Sequence, residues 1–411
     1  MKRAICLSGG GAKGAYQIGV FLALKRLGIK YHIVTGTSVG ALNGVLFVQN
    51  DLLKGIKLWR NMNFDIVFNN DILKEFNNLE TPKDIIKMYA SNLIKNGGLD
   101  TENLEKEAHK ILNPKKFFNS NIDFSISTYN LTKLKLEKIN KKDMNENNIL
   151  DYILASSSCY PAIKKRKINN DEYIDGGILD NLPINSALDM GATEIIAIDL
   201  KAPGIKEPVK NKNINIITIE PKNNIGSFLN FNKYNARRAI KFGYFDTLKT
   251  YNKLDGDYYT FKKNHLIKND MKYANKVIKN LRNIIKDYNN LKKDITLKRF
   301  IKIGKENYIL SEIVEYIGKK LNIDDCKCYR VKKYNKLLLE KLKVIEIDKP
   351  ININDKLNIL NVFKKDKLIK QIYLLIKNND NGKNNKELNN IALTLPKDFL
   401  SALYLYTIER K

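Results

Sequence analysis

Three short clusters hold the residues best suited to do chemistry. Ser38 lies at the centre of Gly36-Thr37-Ser38-Val39-Gly40, a G-x-S-x-G pattern. A nucleophilic serine of this type sits on a sharp strand-to-helix turn. Flanking glycines let neighbouring backbone pass close by, and the helix N-terminus behind the turn favours developing negative charge. The plainer reading is a helix N-cap serine between flexible glycines. The second cluster is Gly9-Gly10-Gly11-Ala12-Lys13-Gly14, and the third is Asp175-Gly176-Gly177.

The glycine loop admits several chemistries. G-x-G-x-x-G between a strand and a helix is the dinucleotide fingerprint, which also needs an acidic residue about 20 positions on for the ribose. Residues 1–50 contain no Asp or Glu, which argues against a nicotinamide or flavin site. A phosphate-cradling P-loop needs Gly-Lys-Ser/Thr, and this loop ends Lys13-Gly14-Ala15. An oxyanion hole is left, with successive backbone N–H groups of residues 9–14 turned toward one point and Lys13 adding positive charge nearby. A ligand-free glycine turn is the plainer alternative.

A serine nucleophile needs a base within hydrogen-bond reach. The chain has three histidines, His32, His109 and His265, and none lies in a glycine-rich loop. A Ser–His–Asp triad is therefore not evident from the sequence. Asp175 follows a short strand, and its two glycines allow close approach to another loop. Read alone, Asp-Gly-Gly is also an ordinary turn, and a carboxylate near its usual pKa of about 3.9 is a poor base unless burial or coupling tunes it.

The elements that must carry these loops read as an α/β layout. Ala4–Leu7 is a short apolar strand. Ala15–Leu27 has helical spacing and stops at Gly28. Ile33-Val34-Thr35 is a β-branched strand running into the serine turn, and a small-residue helix follows over Val39–Val48. Residues 51–120 read as mostly helical and polar. Asp123–Thr128 and Leu134–Ile139 alternate as a hairpin would. Ile149–Ser156 reads as a helix, and Glu172–Ile174, Ile195–Leu200 and Ile214–Ile219 as strands. Beyond about residue 255 glycine thins, and Lys, Asn, Ile and Leu recur at helical spacing, with a polar break at Asn378–Asn385. Two domains follow from this, 1–255 and a basic, mainly helical 256–411.

The chain has 411 residues, 72 Lys and Arg against 44 Asp and Glu, and a net charge of +28. Residues 251–411 hold 36 basic and 19 acidic residues, so the excess is denser there. That charge suits an anionic partner such as a phospholipid surface, or else reflects joint enrichment of Lys, Asn and Ile through coding bias. Nucleic acid is not expected, because no zinc-finger, RRM or helix-turn-helix signature stands out. Cys6, Cys159, Cys326 and Cys328 make neither a disulfide framework nor a zinc pattern, which fits reduced thiols in the cytoplasm. No signal peptide or membrane span is read, so any meeting with lipid is peripheral and from solution.

Taken together and in this order, the three clusters resemble the patatin-like phospholipase family. Ala155-Ser156-Ser157 with Pro161, Asn181-Leu182-Pro183, and Gly191-Ala192 leading into Ile195–Asp199 resemble the family's neighbouring segments. The resemblance covers roughly residues 1–250. It implies a three-layer α/β/α domain and a Ser–Asp dyad without histidine, which carries over onto Ser38 and Asp175. It also implies an oxyanion hole at Gly9, Gly10, Gly11, Ala12, Lys13 and Gly14. The implied activity is cleavage of fatty acyl esters of phospholipids and other lipids, with no metal and no cofactor. Two rivals stay open: a soluble esterase or thioesterase, and a catalytically idle protein that binds lipid at a membrane surface. The tail resembles no named family. Phe399, Leu400, Leu403 and Leu405 form an apolar helix face, read either as a docking surface or as a structural helix packed on the hydrolase domain.

Overall fold

The computed structural model describes residues 2–68, 91, 99–284, 309–347, 365–379 and 385–410. The chain forms two compact units, Met1–Thr250 and Tyr251–Lys411, against an expected boundary near 255. The helical reading of 51–120 holds over Leu52–Asn61, Phe64–Val67, Glu102–Ile111 and Pro114–Phe118. Its stretch at 69–90 and 92–98, and residues 380–384 of the polar break, lie outside the described residues. Among the described residues, no helix is long and apolar enough to cross a membrane.

The first unit is built on an eight-stranded sheet. Its strands are β1 (Arg3–Leu7), β2 (Ile33–Thr37), β3 (Asp123–Asn130), β4 (Lys135–Asn140), β5 (Arg166–Ile168), β6 (Asp171–Asp175), β7 (Glu194–Ile198) and β8 (Asn215–Ile219). β3, β2, β1, β7 and β8 run parallel in that order. Successive residues of a strand face opposite sides. Ala4, Cys6, Ile33, Ile195 and Ala197 point to one side, where Ile184 and Ala187 of the helix Ile184–Asp189 cover them. Val34 and Phe124 point to the other, under helix α2 (Val39–Gln49), whose Gly44 lies against both. With α1 (Ala15–Arg26) and α3 (Leu52–Asn61), this makes the three-layer α/β/α arrangement expected.

Strand order places the functional loops. β1 has β2 on one edge and β7 on the other, so the winding direction reverses beside it. In open α/β sheets, ligands bind off the carboxyl ends of the strands at such a reversal. β3 adds a second device. Ser125–Asn130 pair with β4 on one edge, which leaves the other edge to be shared. There Thr37 of β2 pairs with Ser127, and Asp175 of β6 pairs with the very next residue, Thr128. β2 and β6 thus run toward each other along one edge of β3 and end nose to nose, delivering Ser38 and Asp175 to the same point.

The second unit carries six described helices and a three-stranded sheet of Leu254–Asp255, Thr260–Lys262 and Cys328–Tyr329, where only helical spacing was expected. Its core includes Val277, Leu281, Val314, Ile317, Leu338 and Ile372. Phe399, Leu400, Leu403 and Leu405 lie on the helix Pro396–Glu409 and are buried in that same core. Neither expectation for them holds: they are not a docking face, and they pack on their own unit.

Candidate active site

Ser38 sits where β2 gives way to α2, with φ 58° and ψ −128°. That region is unfavourable for a residue with a Cβ, by about 1–3 kcal/mol, and such strain persists only where surrounding structure enforces it. The enforcement is visible. Ser38 N donates to Ser156 Oγ (3.0 Å), and that hydroxyl donates to Ser127 O (2.7 Å). A Cβ on Gly36 would lie 2.4 Å from Gly40 O, and one on Gly40 would lie 2.3 Å from Leu7 O. Both flanking glycines are therefore required by contact.

Asp175 ends β6, its N–H donating to Ser158 O (2.9 Å). Its carboxylate accepts from Gly177 N (2.8 Å), and the Ser38 hydroxyl beside it also favours the charged form. The side chain is buried, and burial pushes its pKa up to about 6 despite those two groups. A Cβ on Gly176 would lie 2.4 Å from Ser127 O, so this turn too is pressed against β3. Thr37 Oγ1 donates to Asp180 O (2.9 Å) and Thr35 Oγ1 to Pro183 O (2.8 Å), which lace β2 to the segment after the Asp-Gly-Gly turn. Asp180 is also buried and pushed up to about 6, by burial first and by Glu207 second, but it does not line the cavity beside Ser38.

The glycine loop follows β1 into a short 3-10 turn, Gly11–Gly14. Its six residues are not equivalent. Gly9 N donates to Asn181 O, Ala12 N to Phe228 O, and Lys13 N to Gly10 O. The Lys13 ammonium turns toward the carbonyls of Leu200 and Lys201 (3.5 and 3.2 Å), and burial lowers its pKa. Among the described residues nothing accepts from Gly10 or Gly11 N–H, and both residues line the cavity with Ser38 and Val39. Gly11 has φ +50°, and a Cβ there would lie 2.3 Å from Phe228 O. No other residue type fits this loop at that position.

A buried polar chain, not singled out from sequence, ties the loops together. Gln17 Nε2 donates to Ser8 O (2.8 Å), and Asn43 Nδ2 donates to Gln17 Oε1 (2.8 Å) and Gly14 O (3.0 Å). Trp59 Nε1 donates to Asn43 Oδ1 (2.8 Å). The signal was present: Gln17 and Asn43 interrupt otherwise apolar helices, and buried polar side chains are retained when they are hydrogen-bonded.

These groups open onto one cavity of about 300 Å³. Leu42, Trp59, Phe68, Ile111, Phe228 and Phe231 are among its walls, so it is mostly apolar with polar groups gathered at Ser38 and Asp175. That is the usual make-up of a small-molecule site. Among the described residues its lining holds no histidine. His32 stands at the far end of β2, where its Nδ1 accepts from Arg3 N (3.3 Å), and His109 lies exposed on the helix Glu102–Ile111.

Residues 5–188 match the family model described as patatin-like phospholipase. Lysophospholipase NTE1 of Scheffersomyces stipitis is 24% identical over 217 residues, covering 50% of this chain and 12% of that protein. Human patatin-like phospholipase domain-containing protein 6 is 27% identical over 205 residues, covering 48% of this chain and 13% of that one. The chain thus spans about an eighth of the length of these relatives. Among solved structures, VipD from Legionella pneumophila aligns with a TM-score of 0.39 and 17% identity, over 99% of this chain and 91% of that one.

Proposed function

From the premise that residues 5–188 form a patatin-like phospholipase domain, we propose that the chain hydrolyses fatty acyl esters of lipids, with Ser38 as nucleophile and Asp175 as base. The observation that carries this reading is that Ser38 and the buried Asp175, delivered to neighbouring points on one edge of β3, line the same apolar cavity. A carboxyl pushed up to about 6 is largely ionised at neutral pH yet more basic than a free aspartate, which suits general base work.

The reaction runs in two halves. Asp175 takes the Ser38 proton as Oγ bonds to the ester carbonyl carbon, and the carbonyl oxygen becomes an oxyanion. The N–H groups of Gly10 and Gly11, free of other acceptors among the described residues, stabilise it. The carbonyl reforms, the C–O bond to the alcohol breaks, and Asp175 returns the proton to the leaving oxygen. Water then attacks the acyl-serine, Asp175 takes its proton, and the fatty acid departs as Ser38 regains its hydrogen. The cavity wall holds the acyl chain, and Val39 at the start of α2 adds the positive end of the helix dipole.

The test is to incubate the protein with mixed lipids and identify released acids by mass spectrometry, beside Ser38→Ala and Asp175→Asn. Each variant should lose at least about a thousandfold in rate. Wild-type turnover by either folded variant refutes the assignment.

A further inference from the structure

Among the described residues of the first unit, seven large apolar side chains stand well exposed, and four of them cluster. Tyr160, Ile178 and Leu179 are each 40% exposed and Ile205 is 58% exposed. They come from three loops that frame the cavity. Tyr160 and Ile178 line it, while Leu179 and Ile205 stand beside the lining without joining it. The loops are pinned. Ile205 N donates to Gly177 O (3.1 Å), Asn181 N to Ile205 O (2.6 Å), and Leu179 N to Gly176 O (3.0 Å). These side chains are therefore held outward by ordered backbone.

A fixed apolar rim that continues into an apolar cavity calls for a partner that is itself continuous from surface to acyl chain. Charge narrows the partner. Residues 160–167 and 200–212, which carry two of the rim residues, hold eight Lys and Arg against one Glu. Six of the eight pair with carboxylates: Lys164 with Asp100, Lys165 with Glu172, Arg166 with Glu105 and Asp151, Lys201 with Glu220, Lys206 with Asp199, and Lys210 with Asp189. The lysines remain exposed, however, and Lys167 and Lys212 extend the basic flank. We propose that this rim is the surface by which the first unit docks on an anionic phospholipid bilayer. Tyr160, Ile178, Leu179 and Ile205 enter the acyl boundary, and the flanking lysines rest at headgroup level. The mouth of the cavity then opens directly into the lipid phase, and an acyl chain reaches Ser38 without crossing water.

The inference goes beyond the hydrolytic reading, and the experiment keeps the two apart by measuring docking on the full chain carrying Ser38→Ala, which leaves lipid intact. Sedimentation with vesicles of phosphatidylcholine and phosphatidylglycerol should show binding. Adding Leu179→Asp and Ile205→Asp should lower it by about tenfold or more, and the milder Leu179→Ser with Ile205→Ser should move it the same way. Leu53→Asp, at an 82% exposed leucine outside the rim, should leave it unchanged. With Ser38 restored, the Asp pair should turn over a soluble short-chain ester at the parental rate. Three results overturn the proposal: no vesicle binding by the full chain, undiminished binding by the Asp pair, or an equal loss from Leu53→Asp. Equal binding to pure phosphatidylcholine vesicles overturns its anionic part.

Discussion

Replacing Asp175 by asparagine should stabilise the fold at neutral pH. The carboxyl is buried, and its pKa rises from an ordinary 3.8 to about 6. At roughly 1.4 kcal/mol per pH unit, holding it ionised costs the folded state about 3 kcal/mol. Asparagine keeps the shape and an acceptor for Gly177 N, and it carries no charge. The unfolded chain titrates near 3.8 and the folded chain near 6, so between those values the fold binds the extra proton. The wild type therefore matches Asp175→Asn below about pH 4 and falls behind it as pH rises through 6, with the full difference above about pH 7. Trp59 is the chain's only tryptophan, is buried in the cavity wall, and reports on the first unit alone. Urea unfolding followed by its fluorescence, for both proteins at pH 4 to 8, gives the difference directly. A difference that is flat with pH, or a variant less stable than wild type at pH 8, would refute the account of Asp175 as a destabilised buried charge.

The same carboxyl sets a rate profile: kcat/KM on a neutral soluble ester should fall about tenfold per unit below pH 6 and level off above it, and a flat profile from pH 5 to 8 rules Asp175 out as base. Asn43→Ala strands Gly14 O, Gln17 Oε1 and the Trp59 indole N–H, so unfolding should become easier by about 2–4 kcal/mol; an unchanged urea midpoint would mean the polar chain is not holding the loops. Gly40→Ala should cost more than about 3 kcal/mol, because its Cβ would strike Leu7 O. Gly28→Ala, with φ +68° and nothing within 4 Å, should cost only about 1 kcal/mol, and similar thermal shifts in the two would contradict the steric argument.

Much of the first unit was legible because its signals are local. A β-branched run marked β2, apolar runs marked β7 and β8, alternation marked the β3–β4 hairpin, and Gly28 marked the end of α1. The three loops stood out by residue type. What could not be read is long-range register. Nothing near residue 38 or 175 says that β2 and β6 abut on one edge of β3. Which loop N–H groups stay free is decided by Asn181 and Phe228, far along the chain, so six candidate donors could not be reduced to two. β5 and the strands of the second unit are two or three residues long, too short for any period to show. The helix Pro396–Glu409 is buried almost all round, so its apolar residues mark a core element where a one-sided stripe was expected.

The abutting of β2 and β6 also dictates when the proposed site can first assemble. During synthesis the serine emerges early, but its carboxylate partner is 137 residues behind it, and β1 gains its second neighbour only when β7 has been made. Until then the growing polypeptide owns a hydroxyl with no proton acceptor and an unsupported glycine turn. On the proposed mechanism, a ribosome-bound fragment lying against a bilayer is inert however close it comes, and translation itself acts as a safety catch.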